Sequence, residues 1–191
     1  MNESKIACLG WGSLTWRPEK LPLEGDWHQD GPLLPVEFAR QSTGGRIILV
    51  LTPGASELRV LWARFAVTTL DEAIAALAER EGVKEKNIRY SIGYWSPNRA
   101  NTFEFPSSIG EWAQAKDLNA VVWTALRPYF QDEWITPTRE QIVSHLKGLT
   151  GEAADSAREY IERAPDQIQT PIRAAVEKEL KWQPRTSSRS A

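Results

Sequence analysis

Apolar positions along the chain follow two rhythms. Residues 5–11 (KIACLGW) form a short apolar run, compatible with a buried strand. Residues 33–42 (LLPVEFARQS) and 46–52 (RIILVLT) read as two strands joined by a turn around Gly44-Gly45, and Pro53-Gly54 makes the next turn. Residues 58–67 and 87–94 (NIRYSIGY) read as further strands, and residues 120–126 (AVVWTAL) as another. Between them, residues 20–31 carry Pro22, Gly25 and Gly31 and read as an irregular excursion.

The second rhythm is helical. Residues 70–83 (LDEAIAALAEREGV) predict a helix in which Thr69-Leu-Asp-Glu72 is a capping box and Gly82 is the stop. Its inward stripe is Leu70, Ile74 and Leu77, and the next position on it, at roughly 100° per residue, is Glu81. Ser108-Ile-Gly-Glu111 reads as a second capping box, opening a short helix to Lys116 after a polar, turn-rich stretch at 96–106. Three more helices fill the last third. One starts at Thr138-Arg-Glu-Gln141 and ends by Gly148 and Gly151, one covers 152–164, and one starts at Thr170-Pro171 with stripe Ile172, Val176, Leu180.

Strands linked mainly by hairpins, followed by helices, predict an α+β fold. It is a mixed, largely antiparallel sheet or small barrel with packed helices and a helical C-terminal third, rather than a doubly wound parallel sheet. No linker forces a boundary, so residues 1–183 read as one domain and 184–191 as a disordered tail.

Glu81 is where pattern and chemistry meet. A carboxylate closes an apolar stripe on the last turn, where the carbonyl end of a helix disfavours negative charge. Burial and the helix end both raise its pKa, which suits a group that moves protons. The alternative is that Glu81 swings into solvent or pairs with a cation such as the adjacent Arg80.

Composition removes other chemistries. Of 191 residues, 41% are hydrophobic, ample for a core. The net charge of −2 gives neither a nucleic-acid footprint nor a polybasic membrane patch. A single cysteine, Cys8, excludes an internal disulfide and a thiolate metal cluster; it reads as inert core. Two histidines, His28 and His145, leave little for a zinc site or a His-based triad. Residues 1–16 lack the apolar run of a signal peptide and no segment spans a bilayer, so a reduced, cytoplasmic protein is expected. Nine tryptophans, without fixed spacing, are core or cleft-lining residues, or else a stacking platform for sugars or bases.

The first strand ends in Gly10-Trp-Gly-Ser-Leu14. A dinucleotide fingerprint fails there, because Thr15 stands where a third glycine is needed and Pro18 where the helix should run. A nucleophile elbow fails because it needs Gly-x-Ser-x-Gly, and Ser13 has no glycine at the right places. What remains is an N–H-rich loop able to bind an anion or a carbonyl oxygen.

Gly12-Ser13-Leu14 after the first strand, and Arg80-Glu81-Gly82 at a helix end about seventy residues on, together resemble the γ-glutamylcyclotransferase-like superfamily. Phe38-Ala-Arg40-Gln-Ser42 with Gly45-Arg46, and Val60-Leu-Trp62-Ala63, resemble its ChaC-type, glutathione-directed branch. The likeness runs over residues 5–94, and Trp11 departs from it where the family usually has Tyr or Phe. The resemblance implies cleavage of a γ-glutamyl amide by intramolecular cyclisation, releasing 5-oxoproline, with Glu81 as general acid and base. It also implies a small-molecule γ-glutamyl substrate held by the N–H groups of Gly12, Ser13 and Leu14, and no metal or organic cofactor. Arg40 and Arg46 are candidates to neutralise the substrate α-carboxylate by bidentate bonding, or else they are strand-surface cations. Ser42 is a further binding candidate or a strand-end turn residue. Trp11, Trp16 and Trp62 wall the cleft or pack the core. A non-catalytic binding protein on the same fold is the alternative, and the oligomeric state is open.

Overall fold

The computed structural model describes residues 5–100 and 106–185. Its strands are Ile6–Gly10 (β1), Leu23–His28 (β2), Leu33–Gln41 (β3), Ile47–Leu51 (β4), Glu57–Arg59 (β5), Leu61–Phe65 (β6), Ile92–Trp95 (β7) and Ala120–Thr124 (β8). Its helices are Leu70–Arg80 (α1), Ile88–Ser91 (α2), Pro106–Ala115 (α3), Arg139–Gly148 (α4), Gly151–Arg163 (α5) and Pro171–Leu180 (α6).

β1 is buried at all five positions because it is the middle of a five-stranded sheet ordered β2-β6-β1-β8-β7. It runs antiparallel to β6, with Cys8 opposite Ala63, and parallel to β8, with Cys8 opposite Val122. Alternate side chains leave a strand on opposite faces. Ile6 and Cys8 therefore enter one core with Phe65, Leu77 and Val122. Ala7 and Leu9 enter another with Phe38, Val121 and Trp123. Burial on both faces explains the unbroken apolar run.

α1 covers the first face. Its capping box forms: Thr69 Oγ1 accepts from the Glu72 N–H at 3.3 Å, and Glu72 Oε2 accepts from the Thr69 N–H at 2.9 Å. The helix stops as the glycine predicts. Gly82 takes φ 63°, the Val83 N–H donates to Ala78 O at 2.9 Å and the Gly82 N–H to Glu79 O at 3.0 Å. The second face carries a three-stranded antiparallel sheet, β4-β3-β5, and the C-terminal helices. α4 begins with the capping box at Thr138 and Gln141, and α6 begins at Pro171 with Thr170 as its cap.

The fold is thus α+β with two sheets, and the barrel alternative does not form: β2 and β7 remain open edges. Four local expectations also change. Residues 20–31 contain β2, an exposed edge strand whose register shifts between Glu24 and His28; Gly25, at φ 73°, breaks its alternation. Residues 58–67 are not one strand, because Val60 bonds across to Pro32 O and the Gly31 N–H, and the chain passes there from β5 in one sheet to β6 in the other. Residues 88–91 are a helical turn, although Ile88, Tyr90, Ile92 and Tyr94 alternate like a strand; pairing with β8 begins only at Ile92. α3 starts at Pro106, so Ser108 lies inside it rather than capping it. Of the tail expected at 184–191, residues 186–191 lie outside the described residues. Arg185 is tied down, its N–H donating to Glu162 O at 2.8 Å and its guanidinium pairing with the Glu162 carboxylate at 3.2 Å.

Candidate active site

Where β1 ends, the chain turns through Gly12 into a single 3-10 turn, Ser13–Thr15. The Thr15 N–H donates to Gly12 O at 3.0 Å and the Arg17 N–H to Ser13 O at 2.8 Å. This loop forms one wall of a cleft of about 240 Å³. Trp11, Gly12, Ser13 and Leu14 line it on that side. Arg46 and Leu49 line it from the β4 hairpin, Arg80 and Glu81 from the end of α1, Tyr160 from α5, and Leu126 from the chain leaving β8.

Glu81 is the C-cap of α1, and its side chain is 18% exposed. It does not swing into solvent, but it does take the other alternative and pairs with the adjacent cation: Oε1 accepts from Arg80 Nη1 at 2.7 Å. The same guanidinium donates to Arg17 O at 2.7 Å and to Ser13 Oγ at 3.4 Å. Arg80 thereby ties the helix end, the carboxylate and the glycine loop into one unit, while its own buried Nε finds no hydrogen-bond partner among the described residues. Burial raises the pKa of Glu81 above its ordinary 4.5; the Arg80 charge and hydrogen bond pull the other way, and Glu19 adds a smaller upward push. The outcome is a half-dry carboxyl whose two protonation states lie closer to balance than those of a surface glutamate.

Tyr160 is a site residue that the sequence pattern did not single out. It is 6% exposed, and burial pushes its phenol up to about 12, so it stays protonated. Its oxygen accepts the Leu49 N–H at 3.3 Å and is also steadied by the Ser13 backbone. With its oxygen accepting from the backbone, its own O–H is left to donate. Trp16 packs edge-on against the ring at 5.3 Å, and the Arg46 guanidinium lies 5.5 Å from the ring centre. A hydroxyl on the inward stripe of α5, flanked by Ala157, Ile161 and Ala164, was the available signal.

The structure brings Trp11, Gly12, Ser13, Leu14, Arg46 and Glu81 together and leaves the other candidates outside. Arg40 stacks over Tyr129 and Trp134, at 5.2 and 5.5 Å from their ring centres, and donates to Arg127 O at 2.8 Å. Ser42 bonds to Arg46, its Oγ donating to Arg46 O at 3.2 Å and accepting from Arg46 Nε at 3.4 Å. Trp62 stacks on His28 at 4.5 Å, away from the cleft. Cys8 lies in the sheet core, its thiol pKa raised by burial. Among the described residues no three His, Cys, Asp or Glu side chains converge to hold a metal ion, and no helix is long and apolar enough to cross a membrane.

The sequence matches no family model and no curated protein. Among solved structures, a γ-glutamyl cyclotransferase specific to glutathione from yeast aligns over 93% of this chain and 98% of its own, with a TM-score of 0.50 and 13% sequence identity. A selenomethionine-labelled structure of a yeast cyclotransferase specific to glutathione aligns over 95% of this chain and 98% of its own, with a TM-score of 0.46 and 13% identity. The fold is γ-glutamylcyclotransferase-like. At this identity the likeness is one of architecture, spanning nearly the whole of both chains.

Proposed function

We propose that this γ-glutamylcyclotransferase-like chain cleaves a γ-glutamyl amide by cyclisation, with Glu81 as the proton-transfer group. One observation carries the reading: a half-buried carboxyl with a raised pKa shares a small cleft with the glycine loop at the end of β1. At about 240 Å³ the cleft is smaller than the roughly 300–1,000 Å³ usual for drug-sized ligands, and suits a group the size of one amino acid.

The chemistry needs little machinery, because nucleophile and electrophile are in the same molecule. The substrate α-ammonium gives a proton to the Glu81 carboxylate, and the freed amine attacks the γ-carbonyl carbon. A C–N bond forms, closing a five-membered ring, and the carbonyl oxygen takes negative charge. The Leu14 N–H and the Tyr160 O–H, both on residues that line the cleft, are the donors offered to that oxygen, the Ser13 N–H being engaged with Tyr160. As the ring nitrogen loses its second proton, the amide C–N bond breaks and the departing nitrogen takes a proton from Glu81. The products are 5-oxoproline and a free amine, which takes up the remaining proton. No water is consumed. Arg46, which lines the cleft from the turn just before β4, is the partner for the substrate α-carboxylate.

The test is release of 5-oxoproline from a panel of γ-glutamyl dipeptides, γ-glutamyl amines and glutathione, repeated with Glu81→Gln. Product from at least one amide, lost in the variant with its melting temperature retained, supports the reading. The Arg80–Glu81 ion pair also fits a purely structural glutamate on a binding protein; ligand binding with no product from any amide favours that second reading.

A further inference from the structure

Leu126 lines two cavities. Beyond the inner cleft it borders an outer chamber of about 690 Å³, whose walls include Arg40, Tyr90, Arg127 and Trp134. Three features of this chamber are unexplained by packing. Trp134 and Tyr90 leave 70% and 62% of their surface in water at its edge. Arg40 lies over the rings of Tyr129 and Trp134, which touch each other edge-on at 4.9 Å, and it is partly stripped of water, yet no carboxylate among the described residues pairs with it. One of its nitrogens is anchored to Arg127 O at 2.8 Å, which fixes the guanidinium in place. A fixed, partly desolvated guanidinium beside an exposed indole is a site for a carboxylate attached to a ring: the charge is met by hydrogen bonds and the ring by a flat apolar face.

At about 240 Å³ the inner cleft matches a glutamyl head, and the group attached to its γ-carbonyl calls for further space. The amine half must therefore project past the cleft wall, and Leu126 is the wall residue that the two cavities share. We propose that the outer chamber receives the amine half of the substrate, and that this half is an aromatic amino acid with a free carboxylate. Its ring lies against Trp134 and Tyr90 and its carboxylate on Arg40. The inference rests on the cyclisation reading for the position of the bond, but the chamber's affinity for such a group does not. Two arginines then divide the work: Arg46 holds the carboxylate of the glutamyl half, and Arg40 holds the carboxylate of the half that leaves.

The experiment compares kcat/KM for 5-oxoproline release from γ-glutamyl-phenylalanine, γ-glutamyl-glycine and γ-glutamyl-phenethylamide. The second lacks the ring and the third lacks the carboxylate. Phenylalanine is expected to exceed each of the others by about tenfold or more, the range of one charge-assisted bond or one buried ring. Trp134→Ala should collapse the phenylalanine-to-glycine ratio toward one. Arg40→Met should collapse the phenylalanine-to-phenethylamide ratio, with the fold checked by melting temperature. Wild-type ratios near one, or ratios that neither variant moves, overturn the proposal while leaving the cyclisation reading intact. If no amide is turned over at all, N-acetylphenylalanine is titrated against the protein and followed by tryptophan fluorescence. Binding that Arg40→Met and Trp134→Ala abolish then supports the chamber although the reaction has failed. Absence of binding overturns the chamber.

Discussion

A Cβ built on Gly12 would lie 2.3 Å from the hydroxyl oxygen of Tyr160. The two residues are about 150 positions apart in the chain, yet the absence of a side chain at one makes room for the phenol of the other. The loop that follows the first strand and the penultimate helix are fitted to each other at this point.

Gly12→Ala should therefore act through Tyr160. Either the phenol withdraws and loses the Leu49 N–H, or the loop shifts. Overpacking of this kind costs about 1–3 kcal/mol. For a chain of this size that is a fall in melting temperature of about 2–12 °C, measurable by calorimetry.

Tyr160→Phe keeps the ring against Trp16 and Phe38 and removes only the oxygen. The buried Leu49 N–H is left unsatisfied, at a cost of about 1–3 kcal/mol. If the phenol donates to the developing oxyanion, kcat falls by about 10²–10³ as well. Parallel measurement of stability and kcat separates the two roles.

Glu81→Gln should lower kcat/KM by about 10²–10⁴, the range for one general acid–base group. Its effect on stability has a definite sign with pH. The folded pKa is raised above 4.5, so between these values the folded state binds more proton than the unfolded state. The stability of the wild-type protein thus falls as pH rises through that window, by a contribution that the glutamine variant lacks. Denaturant curves at a series of pH values should show wild type gaining on Glu81→Gln as pH falls toward 4.5.

Arg80→Met removes the charge that opposes burial at Glu81. The Glu81 pKa should climb further, and the acidic limb of the kcat/KM profile should move to higher pH. The variant also unties α1 from Ser13 and Arg17. Arg80→Lys, which keeps a charge without the fork, should leave the limb closer to its wild-type position.

Much of the fold was legible in local pattern. The continuous run at β1, the Thr69 and Thr138 capping boxes, the Gly82 stop and Pro171 at a helix start depend on residues a few positions apart. So does the arrival of Glu81 at the end of an apolar stripe, which put it on the rim of a core. The β2 strand was missed because an exposed edge strand with a register shift has no apolar alternation to read. Arg40 was placed by the bulge between Phe38 and Arg40 in the β3–β4 pairing and by the bridge to Tyr129, neither of which has a signature in the β3 sequence.

By itself, then, the sequence determined where the longer helices and most strands lie and which carboxylate ends an apolar face, because propensity, capping and period act over one or two turns, while the short helix at 88–91 was hidden by a strand-like alternation. Only the tertiary structure decided that Tyr160 and Arg46 would meet the Gly12 loop and that Arg40 would face a separate chamber. Those meetings depend on strand order and helix packing over more than a hundred residues, where the free energy belongs to surfaces that no single segment contains.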